Sequence, residues 1–397
     1  MSFGLEPILD SNAHAEPPGA IAPAEDRAMR AAIRLARRGI GTTHPNPRVG
    51  AVVLRGDAIV GSGYHARAGE PHAEARALDQ AGARAKGATL VVTLEPCAHF
   101  GRTPPCTDGV IDAGIRRIVV GMLDPNPLVD GRGVARLRGA GLDVTVGLLE
   151  SECRALNPPY LKRLATGYPW VTLKAMVSLD GRIASESGES RGLGGEAELR
   201  LAHRLRAEHD AVLVGIDTVV QDDPLLTVRH ARGRSPWRIV LDSRLRIADQ
   251  ARLLTSVEAS PLILATVSDD AKRRAALEAR GARVWTFEPG EDGKVPLGPL
   301  LRRLADEGRY ALLVEGGRKV NTALLRAGLA DRVAIGIAPL LLGGANAPSW
   351  TGDLGRATVG EAIPLGPLSV RRVGRDLWLE GEIRNGGTPG EERRIDV

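Results

Sequence analysis

Residues 94–109 read LEPCAHFGRTPPCTDG and hold two of the three cysteines in a chain of 397 residues, each directly behind a proline. A disulfide, a metal site and core packing are the three uses such a pair can have. Three cysteines cannot make a disulfide framework, and in a reducing compartment a close pair more often means metal or catalysis. Upstream lies EPHAEARAL, and the prolines line up: Pro71-His72, Pro96-Cys97 and Pro105-Cys106. Proline favours the first helical turn, where outward N–H groups and the helix dipole stabilise a thiolate. All three ligand candidates are therefore expected at helix starts.

One His and two Cys make three protein ligands, the count expected of a catalytic zinc that keeps its fourth position for water. At roughly 3.6 residues per turn, His72 and Glu74 point about 200° apart on a helix, so they cannot share a side-on ligand. A metal off the helix end lets His72 bind it while Glu74 reaches its open position. Cys153 lies far along the chain and reads as core filler.

Outward from this stretch, the length implies two domains, each able to bury a core. Apolar residues at 43% and charged residues at 25% are ordinary for a globular chain, and no apolar run approaches the roughly 18 residues of a membrane span. Residues 1–24 lack a basic start followed by a long apolar stretch and read as a loose tail, which makes the cytoplasm the expected compartment. The net charge of +5 is small for this length, no basic stripe stands out, and four Tyr with three Phe offer few platforms for stacking bases. Neither a nucleic acid nor a membrane is an expected partner.

From Glu25 to about residue 150, apolar runs (VGAVVLRG, ATLVVTLEP, RIVVGMLD, LDVTVGLL) alternate with amphipathic ones, which predicts an α/β layer fold with a largely parallel sheet. Pro158, Pro159, Gly167 and Pro169 follow in quick succession and read as a connector, with a boundary near 165. The second half is again α/β, with its last strands, around LSVRRVGRDLWLEGEI, expected antiparallel. The expected organisation is a tail at 1–24, domains at 25–165 and 166–385, and a tail at 386–397. No G-x-G-x-x-G stands between a strand and a helix, so any nucleotide must be held in another way.

Histidine, glutamate two residues on, then Pro-Cys after a strand match the H-x-E…P-C-x-x-C signature of zinc nucleobase deaminases, except that eight residues rather than two separate Cys97 from Cys106. That departure, in EPCAHFGRTPPC, together with THPNPRVGAVV and PHAEARAL, resembles the bifunctional riboflavin-biosynthesis deaminase/reductase family. LKAMVSLDGRIA, SGES, HRLRAEHDAVLVGIDTVVQDDPLLTVR and LLVEGG resemble its reductase half, so the likeness spans roughly residues 25–385.

The resemblance implies a cytidine-deaminase-like first domain of α/β/α layers and a dihydrofolate-reductase-like second one. It implies Zn2+ on His72, Cys97 and Cys106, Glu74 as proton shuttle, and Asn46, His99 and Arg102 gripping a phosphoribosylaminopyrimidine. It further implies NADPH held from Met176, Gly192, Thr218, Asp222, Ser243 and Gly317. The reductase substrate would be contacted from Ser190, Arg206, Leu226, Arg229 and Glu315, with Lys174 facing the cleft and both arginines suited to a phosphate. A homo-oligomer is expected. The chain departs from the family in lacking an aromatic residue at Gly192-Leu193 and in carrying Tyr160 where phenylalanine is usual. A zinc deaminase with an unrelated second domain, and a zinc-stabilised nucleic-acid-binding module, are the competing readings.

Overall fold

The structure is a computed structural model and describes residues 21–100 and 104–384. The tail expected at 386–397 and most of the one at 1–24 lie outside the described residues. By its internal contacts the chain divides into two units, one holding Pro47–Asn157 and the residues up to Thr43, the other His44–Asn46 and Pro158–Val397. The division thus falls between Asn157 and Pro158 rather than near 165. Pro158 and Pro159 open a helix, Pro158–Thr166, since a fixed φ suits a first turn, and Gly167 at φ +77° ends it. The segment that reads as a connector is an element of the second unit.

Unit 1 has five strands, β1 (Gly50–Arg55), β2 (Ala58–Tyr64), β3 (Thr89–Val92), β4 (Arg117–Val120) and β5 (Asp143–Val146), in the order β2-β1-β3-β4-β5. β3, β4 and β5 run parallel, but β1 is antiparallel to both β2 and β3, so the sheet is mixed and not largely parallel. The reason is local: only Gly56-Asp57 joins β1 to β2, and so short a link permits a hairpin and no crossover. Ala51, Val53, Leu90, Val92, Ile118 and Val120 pack with Ala73, Ala77 and Ala81 in one core. The helix Ala73–Ala81 can lie so low because β2 is glycine-rich. A Cβ on Gly61 or Gly63 would come within 2.2 Å of the Ala77 carbonyl oxygen or 2.4 Å of that of Ala73.

Unit 2 has nine strands, β6 (Trp170–Ser178), β7 (Ala211–Gly215), β8 (Trp237–Leu241), β9 (Leu262–Thr266), β10 (Arg283–Thr286), β11 (Ala311–Val314), β12 (Arg332–Ala338), β13 (Ser369–Val373) and β14 (Asp376–Glu382). Their order is β10-β9-β8-β7-β11-β6-β12-β14-β13. β6 to β12 are parallel, and β14 is antiparallel to both β12 and β13, as expected of the last strands. Val212 and Val214 belong to one buried cluster and Ala211 and Leu213 to another, so the sheet is covered on both faces. Parallel strands put all their carboxyl ends on one edge, and the order turns back on itself around β7, β11 and β6, where such sheets bind ligands. Among the described residues no helix is long and apolar enough to cross a membrane.

Candidate active sites

In unit 1 the ligand candidates meet. His72 is the N-cap of the helix Ala73–Ala81 and Cys106 is the first residue of the helix Cys106–Asp112. Cys97 instead lies on the loop after β3, which corrects the expectation that each ligand opens a helix. It still profits from a helix start, because the Cys106 backbone N–H donates to its Sγ at 3.4 Å. His72 Nδ1 is 3.1 Å from Cys106 Sγ and 3.7 Å from Cys97 Sγ, and all three ligand atoms lie within 4.8 Å of one another.

The hydrogen bond from the Cys106 side chain pulls the Cys97 thiol down to about 4, with help from His72 and the Cys106 N–H. The same bond, with burial, holds Cys106 far above the usual thiol range. The arrangement favours a thiolate at Cys97, and a thiolate is the form that takes a metal. Bonding to Cys97 raises the His72 imidazole. Glu74 is buried, its carboxyl is pushed up by that burial, and it contacts Cys106. Two sulfurs and one imidazole at this spacing fit a zinc ion with an open position.

The surroundings of the cluster are partly polar. His65, which the motif gives no reason to single out, is buried with its ring edge-on to His72 at a centroid distance of 5.3 Å. His99 is half-buried on the Cys97 loop, and its Nδ1 has no hydrogen-bond partner among the described residues. Arg102 lies outside the described residues. Asn46 falls in His44–Asn46, the segment grouped with unit 2, and is half-buried there. Glu95 is buried and accepts the backbone N–H groups of Asp124, Gly131 and Val134, which ties the start of the Cys97 loop to the helix Arg132–Gly139.

In unit 2 several of the residues assigned by resemblance follow the carboxyl ends of strands: Ser190 and Gly192 after β6, Thr218 and Asp222 after β7, Ser243 after β8, and Glu315 and Gly317 after β11. Lys174, on β6, pairs at 2.8 Å with Glu198 of the helix Glu196–Glu208, and Met176 follows it on the same strand. Arg206 turns Nε and Nη2 to Glu315 at 2.6 and 2.7 Å and Nη1 to the Thr227 carbonyl at 3.2 Å. Most of its fork is thus committed within the protein, which leaves exposed Arg229 the freer cation. Burial pushes the Glu315 carboxyl up, but the Arg206 guanidinium overcomes it and holds the group down to about 2.

His203, not singled out in the sequence, accepts the Arg229 backbone N–H on Nδ1 at 3.0 Å. Burial, with the charges of Arg206 and Arg229, lowers it to about 4, so it is neutral at neutral pH. Its place three residues before Arg206 on one helix was the available signal. Leu226 has φ +55° and a buried side chain, so only its backbone is placed to meet a ligand.

The cofactor positions sit on neighbouring strand ends. Gly317 caps the helix Arg318–Arg326 after β11, and a Cβ there would meet nothing nearer than Thr218 Oγ1 at 4.0 Å. An open helix start with a hydroxyl beside it fits a phosphate. Thr218 and Asp222 lie on the helix Ile216–Asp222 after β7, and Ser243 follows β8, its Oγ accepting the Val295 N–H. Ser190 and Gly192, the latter at φ +84°, lie on the loop before the helix Glu196–Glu208.

Comparison with known proteins agrees with both halves. Residues 23–122 match the cytidine and deoxycytidylate deaminase zinc-binding region, and residues 169–379 match the RibD C-terminal domain. The chain is 44% identical to riboflavin biosynthesis protein RibD of Aquifex aeolicus, over 88% of this chain and 96% of the relative. With the Escherichia coli protein of the same name it is 42% identical, over 88% and 97%. Acinetobacter baumannii RibD superposes with a TM-score of 0.82 at 37% identity, covering 91% of this chain and 99% of that one. A Thermotoga maritima diaminohydroxyphosphoribosylaminopyrimidine deaminase/5-amino-6-(5-phosphoribosylamino)uracil reductase gives 0.80 at 32%, with the same coverage.

Proposed function

From the premise that the chain belongs to the RibD family of riboflavin biosynthesis proteins, we propose how its residues divide two successive reactions. The protein is a bifunctional enzyme of riboflavin biosynthesis, a zinc deaminase joined to an NADPH-dependent reductase. Relatives that match across both halves disfavour an unrelated second domain and a nucleic-acid-binding module alike.

The first substrate is 2,5-diamino-6-(5-phosphoribosylamino)pyrimidin-4-one, and the observation that carries this reading is the meeting of His72, Cys97 and Cys106 beside buried Glu74. His72, Cys97 and Cys106 would hold the zinc ion, which would supply a water acidified towards neutral pH. Glu74, which is not needed as a ligand, takes the proton of the attacking water and delivers it to the amine that departs as ammonia. Asn46, His99 and Arg102 hold the pyrimidine and its phosphate.

The deaminated product is then reduced at its opened ribose to the ribityl compound, 5-amino-6-(5-phosphoribitylamino)uracil. NADPH brings the hydride, so the protein has to supply orientation and charge. Met176, Gly192, Thr218, Asp222, Ser243 and Gly317 seat the cofactor. Ser190, Leu226 and Glu315 position the second substrate, Lys174 faces the cleft, and Arg206 and Arg229 line the phosphate seat with Arg229 making the direct contact.

The enzyme works in the cytoplasm on small molecules, without nucleic acid. It is a homo-oligomer: Leu368, Val370 and Leu377 are 47%, 59% and 45% exposed at the β13–β14 edge, an apolar margin suited to a second copy. The test of the whole reading is zinc content, then ammonia release from the diaminopyrimidine, then NADPH oxidation by the product. Zinc-loaded protein that releases no ammonia overturns the first half, and a product that leaves NADPH untouched overturns the second.

A further inference from the structure

The loop that carries Ser190 and Gly192 is held from the far end of the chain. Arg375 and Asp376 stand at the turn between β13 and β14. Arg375 Nη2 donates to the carbonyls of Gly192 at 3.0 Å and Leu193 at 3.3 Å. Asp376 is buried, and its Oδ2 accepts the Gly195 N–H at 2.8 Å. Two adjacent residues of opposite charge thus grip three backbone groups of one short segment, Gly192 to Gly195. Charge-assisted bonds of this kind are the stronger class.

Gly192 is exposed and has no side chain, so its carbonyl is the handle that remains. On its other flank the loop is tied to the cofactor wall by Gln221, whose Nε2 donates to the Gly188 carbonyl. Gln221 lies on the helix Ile216–Asp222, whose Thr218 adjoins Gly317. On its inner flank the segment leads into the helix whose Glu198 pairs with Lys174.

We propose that Arg375 and Asp376 are positioning residues of the reductase, which fix the Ser190–Gly195 loop against the cofactor seat and thereby set the affinity for NADPH. This rests on the reductase reading above. Neither residue touches the reacting atoms, so their loss alters binding more than turnover. In the full-length protein, Arg375→Ala raises the NADPH dissociation constant about three- to tenfold, the range of an ordinary net hydrogen bond, because the loop and not the cofactor loses the contact. The kcat at saturating NADPH stays within about twofold of wild type. Arg375→Lys recovers part of the affinity, since one ammonium reaches one carbonyl, and Asp376→Asn weakens NADPH in the same direction.

The dissociation constant is read by titrating NADPH fluorescence without substrate, and kcat from NADPH oxidation on pre-deaminated substrate. A thermal melt of each variant accompanies them. An unchanged dissociation constant in Arg375→Ala, or a fall in kcat with affinity intact, overturns the proposal. So does a lowered melting temperature with affinity intact, because it makes the contacts merely structural. Wild-type protein that neither binds nor oxidises NADPH sinks the reductase reading, and this proposal with it.

Discussion

Unit 1 draws its candidate metal ligands from His72, Cys97 and Cys106, all between residues 72 and 106, whereas the candidate site of unit 2 and the loop contacts proposed for it draw on residues as far apart as Lys174 and Asp376. The contrast follows from the chemistry. A zinc ion demands particular donor atoms, and two helix starts with one loop suffice to present them. A reductase whose cofactor carries the hydride asks for a shaped cleft at the edges of several strands, and its polar groups are largely occupied with one another. Arg206 and Glu315 illustrate this, since each is the other's main partner. The first site should therefore break sharply on single substitutions, and the second should degrade by steps.

The largest effect is expected for Cys97→Ser or Cys106→Ser, which should remove the metal and abolish ammonia release while NADPH oxidation on pre-deaminated substrate continues. Zinc content measured beside both assays checks this; chelator treatment should reproduce the same split. Loss of both activities would mean that the two regions are not chemically separate.

Glu74→Gln should keep the zinc yet lower ammonia release by about 10²–10⁴-fold, the usual worth of general acid–base help. Near-normal release from this variant would remove Glu74 from the reaction.

For unit 2, Arg206→Met should leave Glu315 buried without its counter-charge, at a cost of about 3–5 kcal/mol in unfolding free energy. The pH dependence gives an independent check. Because Arg206 holds Glu315 down to about 2 from an ordinary 4.5, this carboxylate stabilises the fold above pH 4.5 and loses that contribution as pH falls towards 2. Urea unfolding across that range should show the decline in the wild type and much less of it in Arg206→Met.

The smallest expected effect is that of Arg229→Ala, which should raise the KM of the reductase substrate by an amount worth about 1.5–3 kcal/mol with a smaller loss in kcat. Steady-state NADPH oxidation at varied substrate measures it. An unchanged KM would move the phosphate seat away from Arg229.

How much was legible in the sequence differs between the regions for the same reason. Pro71-His72, Pro96-Cys97 and Pro105-Cys106 could be read directly, because donor type and spacing are properties of the chain itself. Apolar runs likewise marked β1, β3, β4 and β5 of the first sheet and the closing antiparallel pair of the second. Other features needed the fold. The mixed sense of the first sheet came from the tight link between β1 and β2, and Pro158-Pro159 read as a break because proline ends helices as readily as it begins them.

By itself, then, the sequence determined that this is a two-part α/β chain with a candidate three-ligand metal set and a glutamate two residues beyond its histidine, and its motifs carried the resemblance to a deaminase and reductase. Only the tertiary structure decided that Cys97 sits on a loop under the N–H of Cys106, that Arg206 is spent on Glu315, and that Arg375 and Asp376 hold the Gly192–Gly195 segment. Donor atoms and apolar periodicity are local and survive in one dimension. Which charge meets which, and which carbonyl a distant arginine reaches, depends on strand order, and strand order is set by the packing of the whole sheet.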